Sequence, residues 1–279
     1  MRTVQGRLIT KTVKELCIKA NIELRGDILS ALKSARRKES NAKAGRILDI
    51  IIYNARLAKR KKVPICQDTG MVVVYLKIGR GVRMKDDINK AVEKGVAQAY
   101  KDGYFRKSVV TDPLLRENSN TNLPPVIYTQ IIPGDKIDIM VAVKGFGCEN
   151  CSRIMMFRPM DPASLIEAFV VDTVRESGSK ACPPVYIGVG IGGTLDKAVS
   201  LSKEATLRPV GKYNKKPYIA SMERRLIKKI NRLKIGPMGV GGNTTALGVS
   251  ILTYPTHIAG LPVAVNTSCH ATRDARKVI

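Results

Sequence analysis

Apolar positions recur at helical spacing through most of the first sixty residues. TVKELCIKANIEL, DILSALKSARRKES and NAKAGRILDIIIYNARLAK each carry an apolar stripe on a polar background, so residues 7–60 read as a helical block. Asp27 and Asn41 stand where N-caps are expected, and Cys17 falls on the apolar face of the first helix. The period then changes. Residues 71–78, MVVVYLKI, form a β-branched apolar run and read as a buried strand. KDDINKAVEKGVAQAYKDG returns to an amphipathic helix, which Gly103 ends. Residues 104–125, YFRKSVVTDPLLRENSNTNLPP, have many turn residues and no period. So long a connection is a candidate functional loop.

Further on, VIYTQII and KIDIMVAVKGF read as two strands joined through Pro133-Gly134-Asp135, a hairpin signal, and residues 145–152 as a flexible loop. PASLIEAFVVDTVRES is a helix stopped at Gly178. PPVYIGVGIGG is a buried strand entering a glycine turn, from which the helix TLDKAVSLSKEATL starts. A basic helix covers about 217–234, and two more strands and a short tail complete the chain. Helices and strands alternate after a helical start. The expected fold class is therefore α/β (mixed α+β), with a helical N-terminal block, a mixed sheet flanked by helices, and reactive loops at strand edges. One domain is expected over 1–279, with 1–60 as its helical subregion, and no internal repeat stands out.

Composition narrows the class. No window approaches the run of about 18 apolar residues that a membrane span needs, and the N-terminus lacks a signal-peptide core. A soluble, cytoplasmic protein is expected. The net charge of +25 admits three readings: nucleic-acid binding, attraction of small dianions, or an acidic partner chain. The Lys and Arg residues are spread along helices, and 5% aromatics with no Trp are poor for stacking on bases. Six cysteines scattered over 279 residues do not form a secreted disulfide framework.

Chemistry gathers first at Cys66-Gln67-Asp68-Thr69-Gly70, a polar turn at the leading edge of the first buried strand. Cys66, Cys182 and Cys269 share a setting, each at a turn bordering a β-rich segment, and are separated by 116 and 87 residues. Such spacing rules out a local zinc ribbon. It leaves open three buried structural thiols, the simpler reading of the spacing, or three thiolates converging on an iron–sulfur cluster with one iron open. GVGIGG at 188–193 follows a strand and opens a helix, but it lacks the G-x-G-x-x-G spacing and no GK[ST] follows. Its turn could still present N–H groups to an anion. GPMGVGGN at 236–243 reads as a close-packing or substrate-side loop.

CQDTG, the R-x-S-x-x-x-D-P-L-x-R-x-N stretch from Arg106 to Asn118, KGxGxEN at 144–150, CPP, GVGIGGTLDKA and HIAGLPVAVNxxCHA occur here in one order. Together they resemble the alpha subunit of class I, iron–sulfur fumarate hydratases and the related L-tartrate dehydratases. The resemblance runs from about residue 40 to the end. It implies a [4Fe-4S] cluster on Cys66, Cys182 and Cys269, with one iron not ligated by protein. It implies substrate contacts from Gln67, Asp68, Arg106, Gly145, Gly147 and His257, with Asp68 and His257 as catalytic residues. His270, next to Cys269, is expected to be structural. Cys148 and Cys151 stand where the family has Gly or Ser, and Phe146 where it has glycine; the two cysteines read as small buried substitutions.

The resemblance also implies a separate beta subunit carrying further arginines, a lysine and the proton-abstracting base, and a higher hetero-oligomer. The implied reaction is reversible hydration of fumarate to (S)-malate, a tricarboxylic acid cycle step, by a hydro-lyase on a C4 dicarboxylate. The alternative is L-tartrate dehydration to oxaloacetate. A basic nucleic-acid-binding protein with structural thiols is the remote third reading; neither nucleic acid nor membrane is an expected partner.

Overall fold

Two apolar runs, MVVVYLKIG and VYIGVGI, are mostly buried on both faces, as the interior strand of a covered sheet is. In the computed structural model, which describes residues 2–279, each run centres its own sheet in its own compact unit. The first unit comprises Met1–Leu24, Ala55–Phe146 and Arg273–Ile279, the second Arg25–Asn54 and Gly147–Thr272. Of the helical block at 1–60, residues 25–54 belong to the second unit and the rest to the first.

The block is helical as its periodicity predicts: α1 (Gly6–Ile22), α2 (Gly26–Lys38) and α3 (Ala42–Lys61). Asn41 caps α3, its side-chain oxygen accepting from the Ala44 N–H at 3.0 Å. Asp27 does not cap α2. It lies inside the first turn, where it pairs with Arg25 at 2.6 Å and accepts the Val210 N–H at 2.7 Å. Cys17 is in the core, 0% exposed, as its face predicts.

In the first unit β1 (Arg2–Val4) pairs with β3 (Val82–Met84), and β2 (Met71–Gly79) leads through α4 (Ile88–Asp102) to β4 (Val126–Ile132) and β5 (Ile137–Lys144). The main sheet has the order β10-β5-β2-β4, where β10 (Arg273–Val278) is the C-terminal tail. β4 runs parallel to β2, β5 antiparallel to β2, and β10 antiparallel to β5. The hairpin expected at Pro133-Gly134-Asp135 is therefore not one. β2 lies between β4 and β5, and the connection closes over its end: the Gly81 N–H donates to Gly134 O and the Gly79 N–H to Lys136 O, both at 2.8 Å. The apolar β2 gains cover on both sides, while β4, exposed along most of its length, takes the edge. Ile9, Val13 and Leu16 of α1 and Val92 and Val96 of α4 cover one face through Val72, Val74 and Leu76.

The second unit holds α5 (Phe146–Glu149) from Gly147 on, β6 (Arg153–Phe157), α6 (Ala163–Ser177), β7 (Val185–Ile191), α7 (Leu195–Ala205), α8 (Pro217–Asn231), β8 (Ala246–Thr253) and β9 (Leu261–Ser268). Its sheet has the order β6-β9-β7-β8, with β7 parallel to β8 and antiparallel to β9, and β6 antiparallel to β9. Strand for strand this is the arrangement of the first unit, a repeat that the sequence does not display. Residues 145–152, expected to be a flexible loop, form the short turn of α5 followed by a tight return. The glycines of GVGIGG are packing residues: a Cβ on Gly188 or Gly190 would lie 2.0 Å from the Ser202 or Ala198 carbonyl of α7. The N–H groups of Gly192 and Gly193 donate to the Pro262 and Pro255 carbonyls at 2.9 and 3.1 Å, not to an anion. GPMGVGGN packs on the α2–α3 turn, with the Asn243 N–H donating to Glu39 at 2.7 Å.

Two carboxylates tie this unit together. Burial opposes the charge of Asp27, but hydrogen bonds from Arg25 and the Val210 N–H outweigh it and hold the carboxyl below its ordinary range. Glu167 is likewise held low against burial by Arg225 and Lys229. A depressed folded-state pKa gives stability that is present above the unfolded value and is lost as pH falls through the folded one. Acid destabilisation is therefore expected to set in below about pH 4. Melting curves between neutral pH and strong acid should show it, and Glu167→Gln should flatten that dependence.

Candidate functional site

The Cys66–Gly70 turn is built by its own backbone. Gly70 has φ +67°, and a Cβ there would lie 2.5 Å from the Lys144 carbonyl, so a side chain is excluded. Asp68 uses both carboxylate oxygens: Oδ1 accepts the Gly70 N–H at 2.9 Å and Oδ2 the Phe146 N–H at 2.8 Å. Tyr100 is fully buried, and its hydroxyl lies against the Thr69 and Gly70 carbonyls, the latter at 3.0 Å. Burial, with Cys17 and Asp68 adding to it, pushes that hydroxyl above its ordinary range, so it remains a donor. The turn leaves Gln67 exposed and Cys66 and Asp68 half-buried.

Arg106 is exposed, and its backbone carbonyl accepts the Thr69 hydroxyl at 2.6 Å. The 104–125 loop is thereby fastened to the turn. Asn122, 0% exposed, makes the second fastening by donating to Gly70 O at 3.2 Å while accepting the Ser108 N–H at 2.8 Å. Gly145 is closely packed: a Cβ would meet Asp68 Oδ2 at 3.0 Å and Arg273 Nη2 at 3.2 Å, so a side chain there would push on both groups.

In the second unit a Cβ at Gly147 would find only the Lys180 carbonyl, at 3.8 Å, so close approach does not demand glycine there. Cys182 follows a 3₁₀ turn and adopts the left-handed conformation with φ +50° and ψ +61°. A non-glycine residue held there signals a position whose geometry matters. Its carbonyl accepts from His270 Nδ1 at 2.9 Å and from the His270 N–H at 3.4 Å. Cys269 thus stands beside the residue that grips Cys182. His257 is exposed in the connection from β8 to β9, where Nδ1 accepts the Ala259 N–H at 3.1 Å, leaving the proton of the neutral ring on Nε2. Glu149 is engaged by Lys203 and by Asn266 at 3.1 Å, so KGxGxEN is tied to PVAVN.

Cys66, Cys182 and Cys269 are each partly exposed in a segment that borders a strand, whereas Cys17 and Cys148 are buried. Cys151, expected to be buried with Cys148, is partly exposed too, because it follows the short helix in the return toward β6. Burial also pushes the Cys17 thiol far above its usual range, which removes it as a thiolate donor. Partly exposed sulfurs beside rigid strands suit an iron–sulfur cluster, whose ligands are soft thiolates. Within neither unit, among the described residues, do three or more His, Cys, Asp or Glu side chains form a metal cage. Sequence reasoning missed Arg273, Tyr100 and Asn122, which hold the CQDTG turn. Their signal lay only in isolated polar residues, one in a tail, one in a helix and one in a loop.

A family model described as "Fumarate hydratase (Fumerase)" matches residues 10–278. A protein of Methanocaldococcus jannaschii, provisionally named L(+)-tartrate dehydratase subunit alpha, is 40% identical over 278 residues, 97% of this chain and 97% of that one. Proteins of Escherichia coli K12 and Shigella sonnei named L(+)-tartrate dehydratase subunit alpha are each 29% identical over 268 residues, 95% of this chain and 88% of theirs.

Proposed function

The chain belongs to the fumarate hydratase (Fumerase) family, and from that premise we propose that it is the cluster-bearing alpha subunit of a hydro-lyase that hydrates fumarate to (S)-malate. The family match over 10–278 carries the reading. Cys66, Cys182 and Cys269 would hold a [4Fe-4S] cluster in it. Partial exposure supports the choice over Cys17 and Cys148, and their place in the CQDTG, CPP and VNxxCHA motifs supports it over Cys151, which is also partly exposed. When bound, such a cluster with one iron free of protein ligands supplies a Lewis acid for hydroxyl or carboxylate oxygen.

The chain's own residues bind and orient. Arg106, exposed on a loop fastened to the turn, takes a substrate carboxylate through its planar fork. Asp68, with both oxygens already fixed by N–H donors, accepts or returns a proton from a set position. Gln67 and His257 Nε2 offer polar contacts to substrate, and Gly145 and Gly147 keep backbone accessible to it. The relatives' printed names, each a subunit alpha, support a separate beta subunit, which brings the base and completes a hetero-oligomer. No helix among the described residues is long and apolar enough to cross a membrane; we place the enzyme in the cytoplasm and its reaction in the tricarboxylic acid cycle.

L(+)-tartrate is the second substrate reading, favoured by the names of the relatives. The test is anaerobic purification with a co-expressed beta chain, iron and sulfide analysis, and turnover on fumarate, (S)-malate and L(+)-tartrate. Iron with fumarate turnover is the expected result. Turnover confined to tartrate moves the substrate, whereas a chain without iron that binds duplex or RNA with a steep salt dependence removes the enzyme reading.

A further inference from the structure

We propose that Arg273 is a positioning residue: from the start of β10 its guanidinium clamps the Cys66–Gly70 turn and sets the direction of the Asp68 carboxylate. Arg273 is 4% exposed. Nη1 donates to the Asp68 carbonyl at 2.7 Å and to the Asn21 side-chain oxygen at 3.3 Å, and buried Nε has no partner. Both acceptors are neutral. A buried guanidinium whose hydrogen bonds go only to neutral acceptors gains little stability from its charge, and an apolar side chain of like volume is often as good or better. Its value therefore lies in what it holds.

What it holds is the acid. One end of Asp68 is fixed by Nη1 on its carbonyl; the other is fixed by the Gly70 and Phe146 N–H groups on its carboxylate. The virtual Gly145 Cβ, 3.0 Å from Asp68 Oδ2 and 3.2 Å from Arg273 Nη2, marks the point where carboxylate, guanidinium and backbone converge. Asn21 joins the clamp to the turn's entrance, since its carbonyl accepts the Ile65 N–H at 2.9 Å. Three separate stretches, Asn21 in α1, the turn, and Arg273 in β10, are thus pinned by one side chain, as a preorganised site requires.

The positioning role for Asp68 rests on the hydro-lyase reading, but the clamp is tested without it. Hydrogen exchange is followed in the full chain, in the absence of iron and substrate, for Arg273→Met and Arg273→Lys. Exchange of the Gly70 and Phe146 amides should rise about tenfold in Arg273→Met, while the interior amides of β2 and β5 keep their protection. Arg273→Lys keeps the charge but lacks the fork, so only partial protection should return. Millimolar ethylguanidinium should restore slow exchange in Arg273→Ala, which leaves room for it. Unchanged exchange at Gly70 and Phe146, or a uniform rise across β2 and β5, overturns the clamp; should Arg273→Met fail to fold, the Lys variant decides by the same comparison. In the iron-loaded assembly, Arg273→Lys should lower kcat with KM nearly unchanged, and a loss confined to KM would overturn the orienting role. A wild-type chain without iron or dicarboxylate turnover would instead remove the hydro-lyase reading and leave the exchange result standing.

Discussion

Serine at Cys66, Cys182 or Cys269 is expected to strip iron from the chain and to lower hydro-lyase turnover by about a thousandfold or more, the scale on which losing a Lewis acid acts. Serine is close in volume, so the fold should survive: all three cysteines are only partly buried. The control is Cys17→Ser. Cys17 is 0% exposed in the core of the first unit, and burial holds it as the thiol. Serine there should keep the iron while destabilising the chain by about 1–3 kcal/mol, the cost of an unsatisfied buried hydroxyl. Iron and sulfide per chain and the cluster absorbance, measured under anaerobic conditions, check both statements. Equal iron loss in Cys17→Ser and Cys182→Ser would sink the ligand assignment. Cys148→Ser, in α5, and Cys151→Ser, in the return after it, should keep iron.

The largest effect on stability is expected at Glu223. It is 0% exposed in α8, yet it carries a charge that the second unit answers from three sides. Arg208 pairs with Oε1, the Ile251 N–H donates to Oε1 at 2.7 Å, and the Asn214 N–H donates to Oε2 at 2.9 Å. Arg208 is itself held by Ser250 Oγ at 3.1 Å, and its carbonyl accepts the Tyr186 hydroxyl at 2.7 Å. Glu223→Ala leaves the part-buried Arg208 guanidinium without its carboxylate and two N–H groups without their acceptor, which should remove about 3 kcal/mol. Removing Arg208 as well should add less than the sum, because the two groups form one network. Urea unfolding of the single and double variants gives the numbers. A loss below about 1 kcal/mol for Glu223→Ala would place the pair among solvent-screened ones.

Much of the local structure was legible. The helices at 6–22, 26–38, 42–61 and 163–177 and the strands at 71–79 and 185–191 follow from period and punctuation. Gly178, with φ +51°, stops its helix as its identity predicts. The candidate site was readable only as separate motifs. CQDTG and KGxGxEN announce themselves, and the structure joins them through Asp68 and the Phe146 N–H. Arg273 could not be read, because nothing in a nine-residue tail after the last cysteine's neighbour distinguishes a clamp from a solvated cation until its burial is known.

Misreadings share a cause. The Pro133-Gly134-Asp135 signal is genuine turn chemistry, but a turn specifies only that the chain reverses, not which strand lies between the arms. Asp27 has the residue type of a cap, yet Arg25 and the Val210 N–H compete for its carboxylate. The GVGIGG turn lacks nucleotide spacing but could offer N–H groups to an anion, while Gly188 and Gly190 are set by the Ser202 and Ala198 carbonyls pressing on the strand.

The order of residues alone determined the helices, the apolar strands, the turns and the set of thiols and acids available, since these depend on interactions within a few residues. Tertiary structure alone decided which strand sits at the centre of each sheet, that both sheets repeat one arrangement, and that β10 returns to the first of them. Those outcomes depend on burial and backbone pairing between segments up to hundreds of residues apart, where period carries no information. For the same reason the grip of Arg273 on Asp68, across 205 positions, exists only in the fold.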